Sequence, residues 1–158
     1  MQMSENGLGL LQQWEGFKLQ VYKDSAGFPT IGVGHLLTKP ELTSGEIVIG
    51  GVPVQYAGGL TNQQTLDLLG QDVKPAEQAV NTGVKVPLNQ NQFDALVSFT
   101  FNVGVGAFQS STLLKVLNQQ QYDEVPAQLL RWTRAGGQVV QGLVNRRENE
   151  IKLWNDPV

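Results

Sequence analysis

The sequence predicts an α+β fold in which a small hairpin-built lobe and a larger helical lobe are joined by one long helix. Three observations lead there. Phe17, Leu19 and Val21 alternate with Lys18, Gln20 and Tyr22, the period of a half-buried strand. A second β-type stretch folds around Gly50-Gly51. After Gly58-Gly59 the apolar residues repeat at helical spacing and continue so towards the end of the chain.

Ser4 is a suitable N-cap, and Leu8, Leu11 and Trp14 recur at three-residue steps, so residues 4–14 read as a short amphipathic helix. Gly16 stands where a C′ glycine would stop it. Asp24-Ser25-Ala26-Gly27 is turn chemistry, after which Thr30-Ile31-Gly32-Val33-Gly34 returns as a second strand. Ile47-Val48-Ile49 and Val52-Pro53-Val54-Gln55-Tyr56 form the other hairpin, with Pro53 marking an edge strand. Thr61 with Gln64 makes a capping box ahead of Leu66, Leu69, Val73, Ala76 and Val80, which predicts one helix of about 20 residues, bent near Pro75. Asn89 with Gln92 opens another that carries Phe93, Leu96, Val97, Thr100 and Phe101 and stops around Gly104 and Gly106. Short helices are expected near 110–118 and 123–132, and a last one from Leu143 to Trp154. The elements sort into a β-containing lobe (15–59), a connecting helix (60–81) and a helical lobe (1–14 and 82–158) of a single domain, with a cleft between lobes as the natural ligand site.

Composition narrows the function classes. With 41% hydrophobic and 16% charged residues, the 158-residue chain is a folded globular protein. It has no cysteine, hence no disulfide framework and no thiol nucleophile, and its single histidine, His35, excludes a histidine-rich metal cluster. No metal and no cofactor are expected. The first residues lack a basic n-region and a long apolar run, so a secretory signal is not expected. No stretch approaches the roughly 18 apolar residues of a membrane span. Synthesis in the cytoplasm, without stable membrane insertion, follows as the expectation. The net charge is −3, with 5 Lys/Arg against 9 Asp/Glu in residues 1–109 and 6 against 5 in 110–158. That leaves no basic face of the kind nucleic acid demands.

The residues best suited to chemistry lie between 14 and 35. Glu15 closes the first helix, where the negative end of the macrodipole disfavours a carboxylate, and Trp14 and Phe17 would add desolvation. Both favour the protonated form that a general acid needs. Read alone, Glu15 fits an exposed helix-end acid equally well. Asp24 opens a turn, which Asp does for capping reasons alone, and Thr30 by itself is an ordinary strand residue. Taken together beside a glycine-rich strand, the three supply two carboxyls in unlike environments and a hydroxyl, the equipment for acid/base cleavage of a glycosidic bond. Gly32-Val33-Gly34 lacks the third glycine and following helix of a phosphate loop. His35 reads as structural. Arg146 and Arg147, close to Glu148 and Glu150, read as a solvated, ion-paired helix face. The stretch from Asn102 to Phe108 is either a cleft lip or a helix end followed by a turn.

Glu15, Asp24 and Thr30, with eight and five residues between them, together with Thr30-Ile31-Gly32-Val33-Gly34-His35-Leu36-Leu37-Thr38, resemble the phage-type lysozymes of glycoside hydrolase family 24. Gln71-Asp72-Val73, Phe101-Asn102-Val103-Gly104 and the stretch from Asn145-Arg146-Arg147 to Leu153 match the same family, so the likeness runs across essentially the whole chain. The stretch 40–59 reads as a hairpin and departs from the helix that T-even members carry there.

The resemblance implies a lysozyme-like fold and hydrolysis of the β-1,4 bond between N-acetylmuramic acid and N-acetylglucosamine in peptidoglycan. It implies that Glu15 protonates the leaving oxygen, while Asp24 with Thr30 holds the attacking water in the inverting style. Leu36, Phe101, Ser111 and Gln128 match the family's sugar-contacting positions. Arg146 matches a basic residue that pairs with the catalytic glutamate, and His35 matches a histidine that pairs with an aspartate at the Asp72 position. An endolysin of this type would be a monomer that lyses the host once a separate membrane lesion, such as a holin's, lets it reach the wall. Two other readings stay open: a lytic transglycosylase, which cleaves the same bond without water and needs one glutamate, and a non-catalytic peptidoglycan-binding module on the same scaffold. The intact trio favours hydrolysis over both.

Overall fold

Two tight turns organise the first half of the chain in the computed structural model, which describes residues 1–158. β1 (Lys18–Lys23) folds back through residues 24–28 onto β2 (Pro29–Gly32), and β2 pairs antiparallel with β3 (His35–Leu36). The register sets Tyr22 and Leu36 on either side of Thr30. β4 (Glu46–Ile49) and β5 (Val52–Gln55) form a separate hairpin. Its turn residues Gly50 and Gly51 have φ of 61° and 80°, the pair of positive values that a type I′ turn requires and that glycine adopts without steric cost. Ile47 and Ile49 are buried while Val48 is exposed, and Pro53 stands opposite Val48.

These strands belong to a unit spanning Leu8–Asp72. Its interior is one cluster of Ile31, Leu37, Ile47, Ile49, Tyr56, Leu60 and Leu68, with Val54 packed against it. The stretch 40–59 is not a bare hairpin, contrary to expectation: α2 (Lys39–Ser44) precedes β4. Thr38 N–H donates to Glu41 Oε1 at 2.9 Å and Glu41 N–H donates to Thr38 Oγ1 at 3.3 Å, a capping box with Pro40 in the first turn. No residue of α2 is buried, so no apolar stripe marks it in the sequence. The expected connecting helix is also two helices, α3 (Asn62–Asp72) and α4 (Lys74–Gly83), with the break at Val73. Pro75 has no N–H for the carbonyl four residues back, and its ring crowds that carbonyl, so α3 ends before it.

The second unit comprises Met1–Gly7 and Val73–Val158. α5 (Gln90–Val103) is its centre, with every residue from Phe93 to Thr100 buried. Asn89 and Gln92 close a capping box at 2.8 and 3.0 Å as their spacing predicts. α4, α6 (Val105–Gln109) and α9 (Gln141–Asn155) pack on α5, while α7 (Thr112–Asn118) and α8 (Val125–Leu129) pack on each other. A two-residue hairpin, β6 (Arg134–Ala135) and β7 (Gln138–Val139), was not foreseen, being too short to show a period.

Buried carboxylates fix the start of the chain. Met3 N–H donates to Glu77 Oε2 at 2.6 Å and Ser4 N–H donates to Asp94 Oδ1 at 3.0 Å. The Ser4 hydroxyl donates to the other oxygen of Asp94 and accepts the Gly7 N–H at 2.9 Å, capping α1 (Glu5–Glu15). A Cβ at Gly7 would meet Asp94 Oδ2 at 2.5 Å, so the approach requires glycine.

Candidate active site

α1 stops where Gly16 turns left-handed, at φ 73°, and donates to the carbonyl of Gln12 at 2.9 Å. Glu15 is therefore the last residue of its helix. The apolar shielding expected from its neighbours does not form on the Phe17 side: Phe17 is 43% exposed and Glu15 is itself exposed.

The turn after β1 holds the second carboxylate rigidly. Asp24 Oδ1 accepts N–H bonds from Ala26 at 2.9 Å and Phe28 at 2.8 Å, and Asp24 N–H donates to the Phe28 carbonyl at 2.9 Å. The buried Thr30 donates its hydroxyl proton to the same carbonyl at 2.9 Å. One peptide unit, that of Phe28, thus ties Asp24 to Thr30. The turn amides engage only Oδ1 of Asp24, and the Thr30 oxygen, its proton committed, faces further partners as an acceptor. Leu36 pairs with Thr30 across the sheet and is exposed, so its side chain lies at the surface next to the trio's hydroxyl.

The structure brings His35 and Asp72 together and adds a third member. His35 Nδ1 lies 2.8 Å from Asp72 Oδ2, and His35 Nε2 lies 2.9 Å from Glu41 Oε1. A ring with a carboxylate on each nitrogen is held as imidazolium. The Asp72 hydrogen bond, with help from Glu41 and against the opposing effect of burial, raises the His35 pKa from 6.5 to about 9. Burial acts to raise Glu41, but the Thr38 N–H and His35 outweigh it and hold this carboxyl below its ordinary value. Asp72 ends α3, where the helix dipole favours the cation beside it. Glu41 was absent from the expected site, although Thr38-x-x-Glu41 is a legible capping signature.

In the helical unit, Ser111 and Gln128 line one pocket of about 280 Å³ together with Ser110, Thr112, Arg131 and Trp132. Phe101, half-buried on α5, does not line it. Ser111 is largely occupied as the N-cap of α7: its hydroxyl donates to the Phe108 carbonyl at 2.7 Å and accepts the Leu114 N–H at 3.1 Å. Arg131 donates to Gln128 Oε1 at 3.3 Å. Trp132 packs edge-on against Phe99, ring centroids 5.5 Å apart. Neither Arg131 nor Trp132 was foreseen, since two adjacent residues just past the end of the short α8 carry no spacing signal.

Arg146 and Arg147 do not form a solvated face. Both are buried, because α9 lays them against α5. Arg146 Nε donates to Glu150 Oε2 at 3.1 Å and to Ser98 Oγ at 3.2 Å, and its Nη2 reaches the Ser98 carbonyl at 3.0 Å. Arg147 Nε pairs with Glu150 Oε1 at 3.1 Å, its Nη2 donates to Asn102, and its guanidinium lies over the Phe99 ring. Burial pushes the Glu150 carboxyl up, opposed by Arg147 and Arg146 and by the Ser98 hydroxyl.

A profile of the phage lysozyme family matches residues 12–150. This chain belongs to the phage lysozyme family. It is 41% identical over 157 residues to an endolysin of Bacillus phage PZA, covering 98% of this chain but only 55% of that protein. It is also 41% identical over 154 residues to an endolysin of Salmonella phage P22, covering 98% of each. A crystal structure of P22 lysozyme with a single methionine substitution superposes with a TM-score of 0.83 at 38% identity, covering 99% of both chains. This family member therefore has the lysozyme-like α+β fold.

Proposed function

We propose that this phage lysozyme is an endolysin that hydrolyses the β-1,4 bond between N-acetylmuramic acid and N-acetylglucosamine in bacterial peptidoglycan. The observation that carries the reading is the Phe28 peptide, which locks Asp24 and Thr30 into one unit with acceptor oxygens to spare. A water between them gives one proton to Asp24 as general base and directs the other to Thr30, which presents its oxygen lone pair towards the reacting centre. Glu15, at the exposed end of α1, protonates the departing glycosidic oxygen. Attack by a bound water, with no covalent sugar on Asp24, gives inversion at the anomeric carbon. Leu36, Phe101, Ser111 and Gln128 contact the glycan, while Arg146, His35 and Asp72 hold the scaffold around it.

Mass spectrometry of muropeptides released from purified sacculi tests the reading. Hydrolysis leaves reducing muramic acid ends; 1,6-anhydro ends would replace it with a transglycosylase. If no fragments are released at all, a binding module remains.

The protein acts as a monomer on the periplasmic wall after synthesis in the host cytoplasm, and a holin-type lesion gives it passage. No helix of the chain is long and apolar enough to cross a membrane.

A further inference from the structure

Building on the hydrolase reading, we propose that the pocket on the helical unit is a carboxylate-binding site with Arg131 as its receptor, taking a free carboxylate of the peptidoglycan substrate. Among the residues lining this pocket, Arg131 alone carries charge. It is exposed and gives its side chain only one long bond, 3.3 Å to Gln128, so most of its five donors remain uncommitted. It has no carboxylate partner of its own, in contrast to the buried Arg146 and Arg147.

The hydroxyls of Ser110 and Ser111 do not compete for an anion. Ser110 donates to the Gly106 carbonyl at 3.0 Å, and Ser111 is occupied by its capping bonds. Trp132, braced by Phe99, supplies a fixed wall. A planar guanidinium with an open fork at a polar hollow matches a carboxylate in shape and charge. At about 280 Å³ the hollow is smaller than most ligand sites and suits one amino-acid residue or a lactyl group.

An N-acetylated glycan backbone is itself neutral. Peptidoglycan carries its carboxylates on the stem peptides, and on the lactyl group of muramic acid wherever a stem has been removed. Engagement of either makes Arg131 a specificity residue that distinguishes wall polymer from uncharged glycan.

The test compares the wild type with Arg131→Gln and Arg131→Lys on three substrates: intact peptidoglycan, peptidoglycan with its carboxyls converted to amides, and glycan stripped of stems by an amidase. With a stem carboxylate as ligand, the wild type should prefer intact over amidated polymer, and Arg131→Gln should reduce that kcat/KM preference about tenfold, the low end for a charge-assisted hydrogen bond. With the lactyl carboxylate as ligand, the same loss of about tenfold should fall on stripped glycan. Arg131→Lys should retain part of it. A loss confined to intact polymer assigns the stem carboxylate, and a loss confined to stripped glycan assigns the lactyl carboxylate. Equal wild-type rates on intact and amidated polymer combined with no Arg131→Gln loss on stripped glycan would overturn the proposal, as would an Arg131→Gln effect equal on all three substrates. Titration of ¹⁵N-labelled protein with free stem peptide or muramic acid separates this from failure of the hydrolase reading. The Arg131 Nε–H resonance should shift even in a Glu15→Gln background; no shift with either ligand would also overturn the proposal.

Discussion

Replacing His35 with Asn should remove a stabilising interaction whose size depends on pH in a defined direction. The imidazolium is held between Asp72 at 2.8 Å and Glu41 at 2.9 Å, and its pKa is raised from 6.5 to about 9. At 1.36 kcal/mol per unit this corresponds to roughly 3 kcal/mol, which solvent at the 27% exposed Asp72 side chain reduces to about 2 kcal/mol. A cation with a raised folded-state pKa contributes in full below about pH 6.5, and the contribution fades as pH climbs through about 9. Urea denaturation of both proteins at several values between about pH 6 and pH 10 measures it. The wild type should lose about 2 kcal/mol more than His35→Asn across that interval. A stability difference that stays constant with pH would refute the reasoning. Turnover near neutral pH should fall less than stability does, because the ion pair positions β3 against α3 and touches no reacting atom.

Glu15→Gln should abolish clearing of outer-membrane-permeabilised cells, and Asp24→Asn should slow it by at least ~10², the low end for general-base help; turbidity records both, and undiminished clearing by either variant refutes its assigned role. Glu150→Gln removes the buried negative charge that Arg146 and Arg147 share and should cost about 3–5 kcal/mol by urea denaturation. Gly7→Ala drives a methyl to 2.5 Å from Asp94 Oδ2 and should destabilise by about 1–3 kcal/mol, whereas Gly9→Ala, with no atom within 4 Å, should stabilise the same helix by roughly 0.5–1 kcal/mol. Equal effects at the two glycines would show that the Asp94 contact does not constrain α1.

What could be read from the sequence was what is encoded locally. Asn89 and Gln92 announce α5 because a capping box needs only residues three apart. Gly50-Gly51 announces its hairpin because the turn requires two positive φ values in succession. α2 carries an equally local signal in Thr38 and Glu41, but a fully unburied six-residue helix has no apolar stripe to reinforce its cap. The break at Val73 was legible as a bend at Pro75, yet the apolar repeat runs through it and hides a true interruption. Residue type and spacing made Glu15, Asp24 and Thr30 candidates. The tie between Asp24 and Thr30 was not legible, because it runs through the Phe28 backbone and leaves no mark in composition. The burial of Arg146 and Arg147 was out of reach for another reason: Ser98 and Phe99, which receive them, lie almost 50 residues away on another helix.

Pro53 gives the second hairpin a property beyond its shape. In a hairpin closed by a two-residue turn, hydrogen-bonded pairs alternate with non-bonded ones, so Ile49 and Val52 are bonded and the next pair, Val48 and Pro53, is not. The nitrogen of Pro53 therefore faces the open margin of β5, and its lack of a proton costs the hairpin nothing. A strand from another molecule that tries to lie along that margin meets a pyrrolidine ring where a donor should be. Val48 and Val52 are both exposed, and one imino acid lets this ribbon carry them at its surface without offering a neighbouring molecule a complete row of donors along β5.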